Sequence, residues 1–412
     1  MNRKVLFLLM AGPMWTWGQN PVSVGLTPGA GYHDGYFTEG DSCHVHQVKS
    51  LPGSHEFASD FIEAMAADPR AKERSAVWGL TADLSSRVPA QDRAMYISKS
   101  NDEGKTWTQV ARVDSRYFDA DIAEGERNGL SVFPGGSEFV ITTQKGAFQV
   151  FSQSGTSDTV VRSIEGPRVT QPDPMTIIPK REGDPVTANV VKITADGKRL
   201  IVGYGYFDLN PQILIYRRGN DGSWIKDGTL PPLPTDMDIL SMQFGDRGNA
   251  GSLYVGTGDQ AFELKARTKE WTRIDGVGDD SAVQGISTVG GPHLAACWGV
   301  YNPTSADAVK RVTQANFLLH RNEDEAGPNI RAFSIEVDPS RPNREVVTSL
   351  TGVYFSKDGG QQWQRLNDVP DGEFRSTHFN LDGTMIVSGI FGTFLANPFS
   401  AQCSAHLRTR NP

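Results

Sequence analysis

The sequence predicts an all-β protein made of repeated units, each a small antiparallel sheet of four strands. Three observations carry this. Short runs rich in Val, Ile, Phe and Tyr alternate with turns rich in Gly, Asp and Asn, the pattern of strands and hairpins rather than helices. A three-run pattern recurs with starts near residues 129, 187, 237, 283, 331 and 374, about 43 to 58 residues apart, a span that accommodates four short strands and their turns. One polar turn occurs twice, as Ser100-Asn101-Asp102-Glu103-Gly104-Lys105-Thr106-Trp107 and as Ser356-Lys357-Asp358-Gly359-Gly360-Gln361-Gln362-Trp363. Both read Ser-x-Asp-x-Gly-x-x-Trp. The carboxylate can accept from following backbone N–H groups, Gly can take positive φ, and Trp can cover the hairpin.

Taken in order, residues 1–18 have the composition of a secretory signal peptide: Arg3 and Lys4, then an apolar run too short to span a bilayer. The expected mature chain, 19–412, is a single domain, since no linker, low-complexity run or charge block divides it. Residues 43–49 are expected as the first strand of the first unit, followed by an insertion over 51–74. Phe61, Ile62 and Met65 are spaced there as on one amphipathic helix, with Ser54 as its cap. Runs at 77–81, 95–98 and 106–113 complete that unit. Six further units follow, beginning with the runs 130–133, 190–193, 239–244, 283–287, 333–337 and 375–379. Trp224 and Trp271 mark decayed copies of the polar turn. The last unit has only three C-terminal strands, so its fourth is expected from 22–26 or from beyond Ala401. The total is seven four-stranded blades closed into one ring, a seven-bladed β-propeller without free sheet edges.

The repeated turn resembles the Asp-box (BNR) repeat of sialidase-like β-propellers. That resemblance implies the propeller fold and puts the turns on the outer rim, away from any active site. It covers the repeats, about residues 40–400, and does not extend to a sialidase catalytic set. The Phe/Tyr-Arg-Ile-Pro motif is absent, and no local motif assigns an arginine triad or a Tyr–Glu pair.

Composition narrows the function. A formal charge of −8, or −10 once Arg3 and Lys4 are removed, and the lack of a basic patch argue against nucleic acid. No later run is long enough for a membrane-spanning helix, so an exported, monomeric product is expected. Three cysteines allow one bridge. Cys43 and Cys403 suit an oxidising compartment, whereas Cys297 reads as a small core residue. Dinucleotide, phosphate-loop, Gly-x-Ser-x-Gly and His-Glu-x-x-His signatures are missing.

Chemistry is therefore expected where a closed ring gathers the loops that lead into the innermost strands. Candidate catalytic residues there are His44, His46, His378, Asp184, Asp238 and Glu373. Candidate substrate-binding residues are Arg127, Arg331, Arg375, Tyr206 and Trp298. His44 and His46 share a strand face, and His378 is expected on the adjacent inner strand, a donor set for a divalent metal or for acid–base work. Tyr32 to Phe37, Tyr204 and Tyr301 add rings of the kind that stack on sugars. Two readings stay open. One is a secreted carbohydrate-active enzyme: a glycosidase drawing on paired carboxylates, or a polysaccharide lyase using histidine as base and arginine on a uronate. The other is a non-catalytic propeller that binds a glycan or a secreted or periplasmic protein.

Overall fold

A computed structural model of the chain describes residues 45–48, 51, 62–68, 76–82, 89, 91–118, 129–152, 158–170, 180–205, 211–245, 251–274, 277, 282–296, 332–366, 368–370 and 372–400. It also describes the strand pairing of 32–33, 36–37, 299–301 and 311–312. The fold is an all-β propeller. Its strands form seven four-stranded antiparallel sheets and one two-stranded ribbon, Tyr32–His33 with Tyr36–Phe37.

Six blades are each made of four consecutive strands, running from the innermost strand outward. Blade 1 is Ala64–Ala67, Val77–Ala82, Ala94–Ser100 and Thr108–Asp114. The innermost strands of the next five are Gly129–Val132, Ala188–Ile193, Ile239–Phe244, Val283–Ser287 and Ala332–Val337. The remaining sheet is composite. Phe374–Phe379, Met385–Gly389 and Gly392–Ala396 are completed by His46–Gln47, which pairs with Phe394 and Leu395 as the outermost strand. Strand order thus joins the two ends of the chain and ties the ring shut.

The expected layout is corrected here in two respects. Only six blades are contiguous in sequence, and the strand expected to open the first one instead closes the last. Nor is a helical insertion found among the described residues. There is no α-helix among them, only the 3-10 turn Ser115–Tyr117, and residues 64–67 form the innermost strand of blade 1. Ile62 is buried and Met65 half-buried because the first leads into that strand and the second lies in it, not because they share a helix face. Residues 1–18, 22–26, Cys43, Cys297 and Cys403 lie outside the described residues.

Apolar side chains pack between neighbouring blades rather than in one central core. Leu80, Met95 and Phe118 of blade 1 meet Leu130, Phe139 and Phe148 of blade 2. Leu366 of blade 6 meets Phe374, Phe379 and Phe394 of blade 7. Each such fully buried side chain contributes roughly 1.5–3 kcal/mol. Polar links supplement them at the ring's inner edge. Ser241 Oγ donates to the Val283 carbonyl at 2.9 Å, and Ser376 Oγ to the Ile62 carbonyl at 2.6 Å. Farther out, Arg218 holds the buried Glu138 through both guanidinium nitrogens at 2.5 Å, with its own plane 4.2 Å from the Phe133 ring.

Candidate functional site

The innermost strands pack neighbour to neighbour around the ring and line its channel. Five of them carry an irregularity near their start, where the register shifts between 188 and 190, 239 and 241, 283 and 285, 332 and 334, and 374 and 376. A bulge leaves its extra residue unpaired and re-aims that side chain. In blade 7 the extra residue is Arg375, at the start of the inner strand, and its side chain is 20% exposed. Its guanidinium lies 5.9 Å from the Phe333 ring, the bulge residue of blade 6, and its Nε donates to Glu373 Oε1. The Glu373 carbonyl accepts the Ile390 N–H at 3.0 Å, which fixes the loop. That end of the channel, its mouth, therefore carries an ion pair over an aromatic ring.

Asp238 precedes the inner strand of blade 4 at the same level, and its carbonyl accepts the Gly258 N–H at 3.0 Å. Asp184 is used locally, because Oδ2 accepts the Arg181 N–H at 2.7 Å and closes its own turn. His46 and His378 are not on adjacent inner strands. They occupy opposite edges of the same sheet, the first exposed on the outermost strand and the second buried on the innermost. Tyr204 is fully buried and shares a 2.8 Å hydrogen bond with Tyr216, whose hydroxyl donates to the Glu165 carbonyl. Burial pushes the Tyr204 hydroxyl well above its usual range and that of Tyr216 up to about 12. Neither ring offers a face to a sugar. His44, Arg127, Arg331, Tyr206 and Trp298 lie outside the described residues, and the side chain of Tyr301 does too.

Deeper in the channel lies a polar collar that the sequence reading missed, apart from His378. Lys192, Gln243, Ser287, Glu336 and His378 each stand four residues past the residue that opens the bulge, so they share one level of the ring. Ser131 and Glu336 show what this level does. Ser131 Oγ accepts the Ile193 N–H at 3.1 Å, and Glu336 Oε2 accepts the Phe379 N–H at 2.7 Å, each from the next blade's inner strand. Glu336 Oε1 also lies 3.7 Å from His378 Nδ1. The signal was available: alternate residues of otherwise apolar strands are Lys, Gln, Glu and His. Among the described residues, no group of three or more His, Cys, Asp or Glu is placed to hold a metal ion. No helix among them is long and apolar enough to cross a membrane.

No protein-family model matches the chain, and no curated protein matches it by sequence. Solved structures do match in fold, and the neighbours named here are β-propellers. The chain is similar to YCF48 from Cyanidioschyzon merolae, with TM-score 0.53 and 14% identity over 86% of this chain and 98% of that one. It is similar to YCF48 bound to D1 peptide, with TM-score 0.51 and 13% identity over 87% and 98%. A third neighbour is the extracellular domain of the putative one-component system BT4673 from B. thetaiotaomicron, with TM-score 0.52 and 11% identity. There the match covers 86% of this chain but 40% of the other.

Proposed function

We propose that this chain is a non-catalytic propeller that docks a peptide segment of a protein partner at the channel mouth. The observation that carries this reading is the state of two described carboxylates among the site candidates. Glu373 is paired with Arg375, and Asp184 closes its own turn. A glycosidase needs two carboxyl groups facing each other across a sugar, about 5–9.5 Å apart. An ion pair on an aromatic ring suits recognition instead, because it can exchange its internal contact for a charged or amide group of a ligand. The propellers of similar fold agree in kind: one of them, YCF48, is described as bound to a peptide. The same reading has the chain acting after export, on the composition of residues 1–18.

The test is selection of peptides from a displayed library on the immobilised full chain, in parallel with a panel of sialosides, neutral polysaccharides and polyuronates. The expected result is a consensus peptide whose affinity falls at least tenfold with Arg375→Glu, and no turnover of any glycan. Cleavage of any glycan, or peptide binding indifferent to Arg375→Glu, would overturn it.

A further inference from the structure

The end of the ring opposite the mouth carries a cationic patch at the seam between blades 6 and 7. Inner strands start at the mouth, so in an antiparallel blade the turns after the first and third strands lie at the far end. In blade 6 those turns hold Arg341 and Arg344, between Val337 and Glu345, and Lys357, between Ser356 and Gln364. Phe399, which follows the third strand of blade 7, reaches the same place, and its ring meets Phe355 and Phe379, each at 5.8 Å. The Arg344 guanidinium stands 4.8 Å from the Phe399 ring, and Lys357 Nζ stands 5.4 Å from the Phe355 ring. A β-carbon on Gly383 of blade 7 would lie 3.1 Å from Arg344 Nη1, and Leu381 in that same turn is 41% exposed. Burial and then the Arg341 charge draw the Arg344 guanidinium below its ordinary value, with Asp338 opposing. Burial and then the Arg344 charge do the same to Lys357.

The two arginines are not spent on the fold. Arg341 is exposed and Arg344 half-buried, and no carboxylate pairs with either side chain among the described residues. The carboxylates nearby serve their own turns. Asp338 Oδ1 accepts the Ser340 and Arg341 N–H groups, Asp358 Oδ1 the Gln362 N–H, and Asp382 Oδ1 the Thr384 N–H. A guanidinium held flat on a ring, with its N–H fork open, is preorganised for a carboxylate. We propose that this face docks an acidic segment of a protein partner, its carboxylates received by Arg341 and Arg344 and an apolar side chain resting on Leu381 and Phe399. The three interspersed carboxylates and the overall charge of −8 disfavour a dense phosphate surface, whereas spaced carboxylates fit between them. The patch shares no residue with the peptide site proposed at the mouth and does not depend on it.

The experiment is calorimetric titration of the full chain with acetyl-Glu-Glu-Leu-Glu-Glu-amide, with its counterpart carrying Gln for every Glu, and with phosphatidylglycerol vesicles. It is repeated on Arg344→Gln, on Arg341→Gln and on the control Arg267→Gln, an exposed arginine on the equivalent turn of blade 4. Circular dichroism checks each variant, and Arg341→Gln, on an exposed side chain, keeps the test decisive should Arg344→Gln disturb the seam. Saturable binding of the Glu peptide that weakens about fivefold or more in each of the two arginine variants, but not in Arg267→Gln, supports the site. Equal affinity in wild type and either folded arginine variant, equal binding of the Gln peptide, or no saturable peptide binding overturns the proposal. Vesicle binding without peptide binding also overturns it and assigns the patch to a lipid surface.

Discussion

The two Ser-x-Asp-x-Gly-x-x-Trp turns are nearly superposable in their hydrogen bonds and opposite in what they rest on. In blade 1, Ser100 Oγ donates to Asp102 Oδ1 at 2.8 Å and accepts the Gly104 N–H at 2.8 Å. Asp102 accepts the Thr106 N–H at 2.9 Å, and Trp107 Nε1 donates to the Gly104 carbonyl at 2.9 Å. In blade 6 the same four bonds run through Ser356, Asp358, Gln362, Gly360 and Trp363 at 2.8, 2.8, 2.9 and 3.1 Å. Beneath blade 1's turn lies an apolar cluster containing Val77, Trp107 and Ile386. The equivalent places beneath blade 6's turn hold Glu345 and His293. Glu345 closes its first hairpin as Val77 does, and His293 sits in register as Ile386 does. Other blades put Phe139, Leu200, Leu253 and Met385 at the Glu345 position. Glu345 and His293 are both buried and lie 3.4 Å apart, without the alignment of a hydrogen bond at Nδ1 or Oε1. A local turn motif is thus indifferent to its foundation: its bonds are internal, and the layer below only has to fill space.

The largest expected effect comes from breaking that buried pair. His293→Leu leaves the Glu345 carboxylate buried without its partner and should cost about 3–5 kcal/mol in chemical denaturation. The double substitution His293→Ile with Glu345→Val rebuilds the apolar layer of blade 1 and should be neutral or stabilising. A double variant as unstable as the single one would mean the polar pair is required by the turn above it.

Next is the contrast between the glycines. A β-carbon on Gly104 would lie 2.6 Å from Ile386 Cδ1, at φ +91, whereas one on Gly360 would lie 3.2 Å from Glu345 Oε2, at φ +81. Both substitutions by Ala impose the same left-handed strain, so their difference isolates the packing below. Gly104→Ala should be the worse by roughly 1–3 kcal/mol, the usual range for overpacking. Equal losses would show that backbone strain alone decides.

The smallest effect is electrostatic. Burial alone would raise the Asp102 carboxyl, but hydrogen bonds from Thr106 and Ser100 outweigh it and hold the group below the usual carboxylate range. A carboxyl lowered on folding adds stability that is present above its unfolded value, about 3.9, and lost as pH falls through the folded value. Asp102→Asn should therefore cost about 1 kcal/mol at neutral pH. It should also flatten the acid limb of stability against pH, as followed by denaturant midpoints between pH 6 and 2. An acid limb of unchanged slope would remove Asp102 from that account.

The turns and the blade strands were legible because their causes are local. Alternation, β-branched runs, and Gly or Asp at the hairpins are written within a few residues of each other, as in 190–193, Asp196-Gly197 and 200–205. Residues 62–67 were not legible. Ile62, Met65 and three alanines carry weak strand propensity, and their three-and-four spacing imitates a helix. Their strand pairs with Val77–Ala82, and that pairing overrides propensity. His46 was assigned to the wrong edge for the same reason: two residues cannot announce which sheet they will join.

By itself, then, the sequence determined the all-β repeat, the two polar turns and the approximate bounds of the first three strands of most blades, because hairpin formation depends on neighbours in the chain. Only the tertiary structure decided that the first strand closes the last blade, that Arg375 is a bulge residue at the start of an inner strand, and that Lys192, Glu336 and His378 share one collar. The first and the last of these depend on ring closure and register between segments more than a hundred residues apart, whereas the Arg375 bulge arises within its own hairpin, where 374 and 376 pair with 389 and 388.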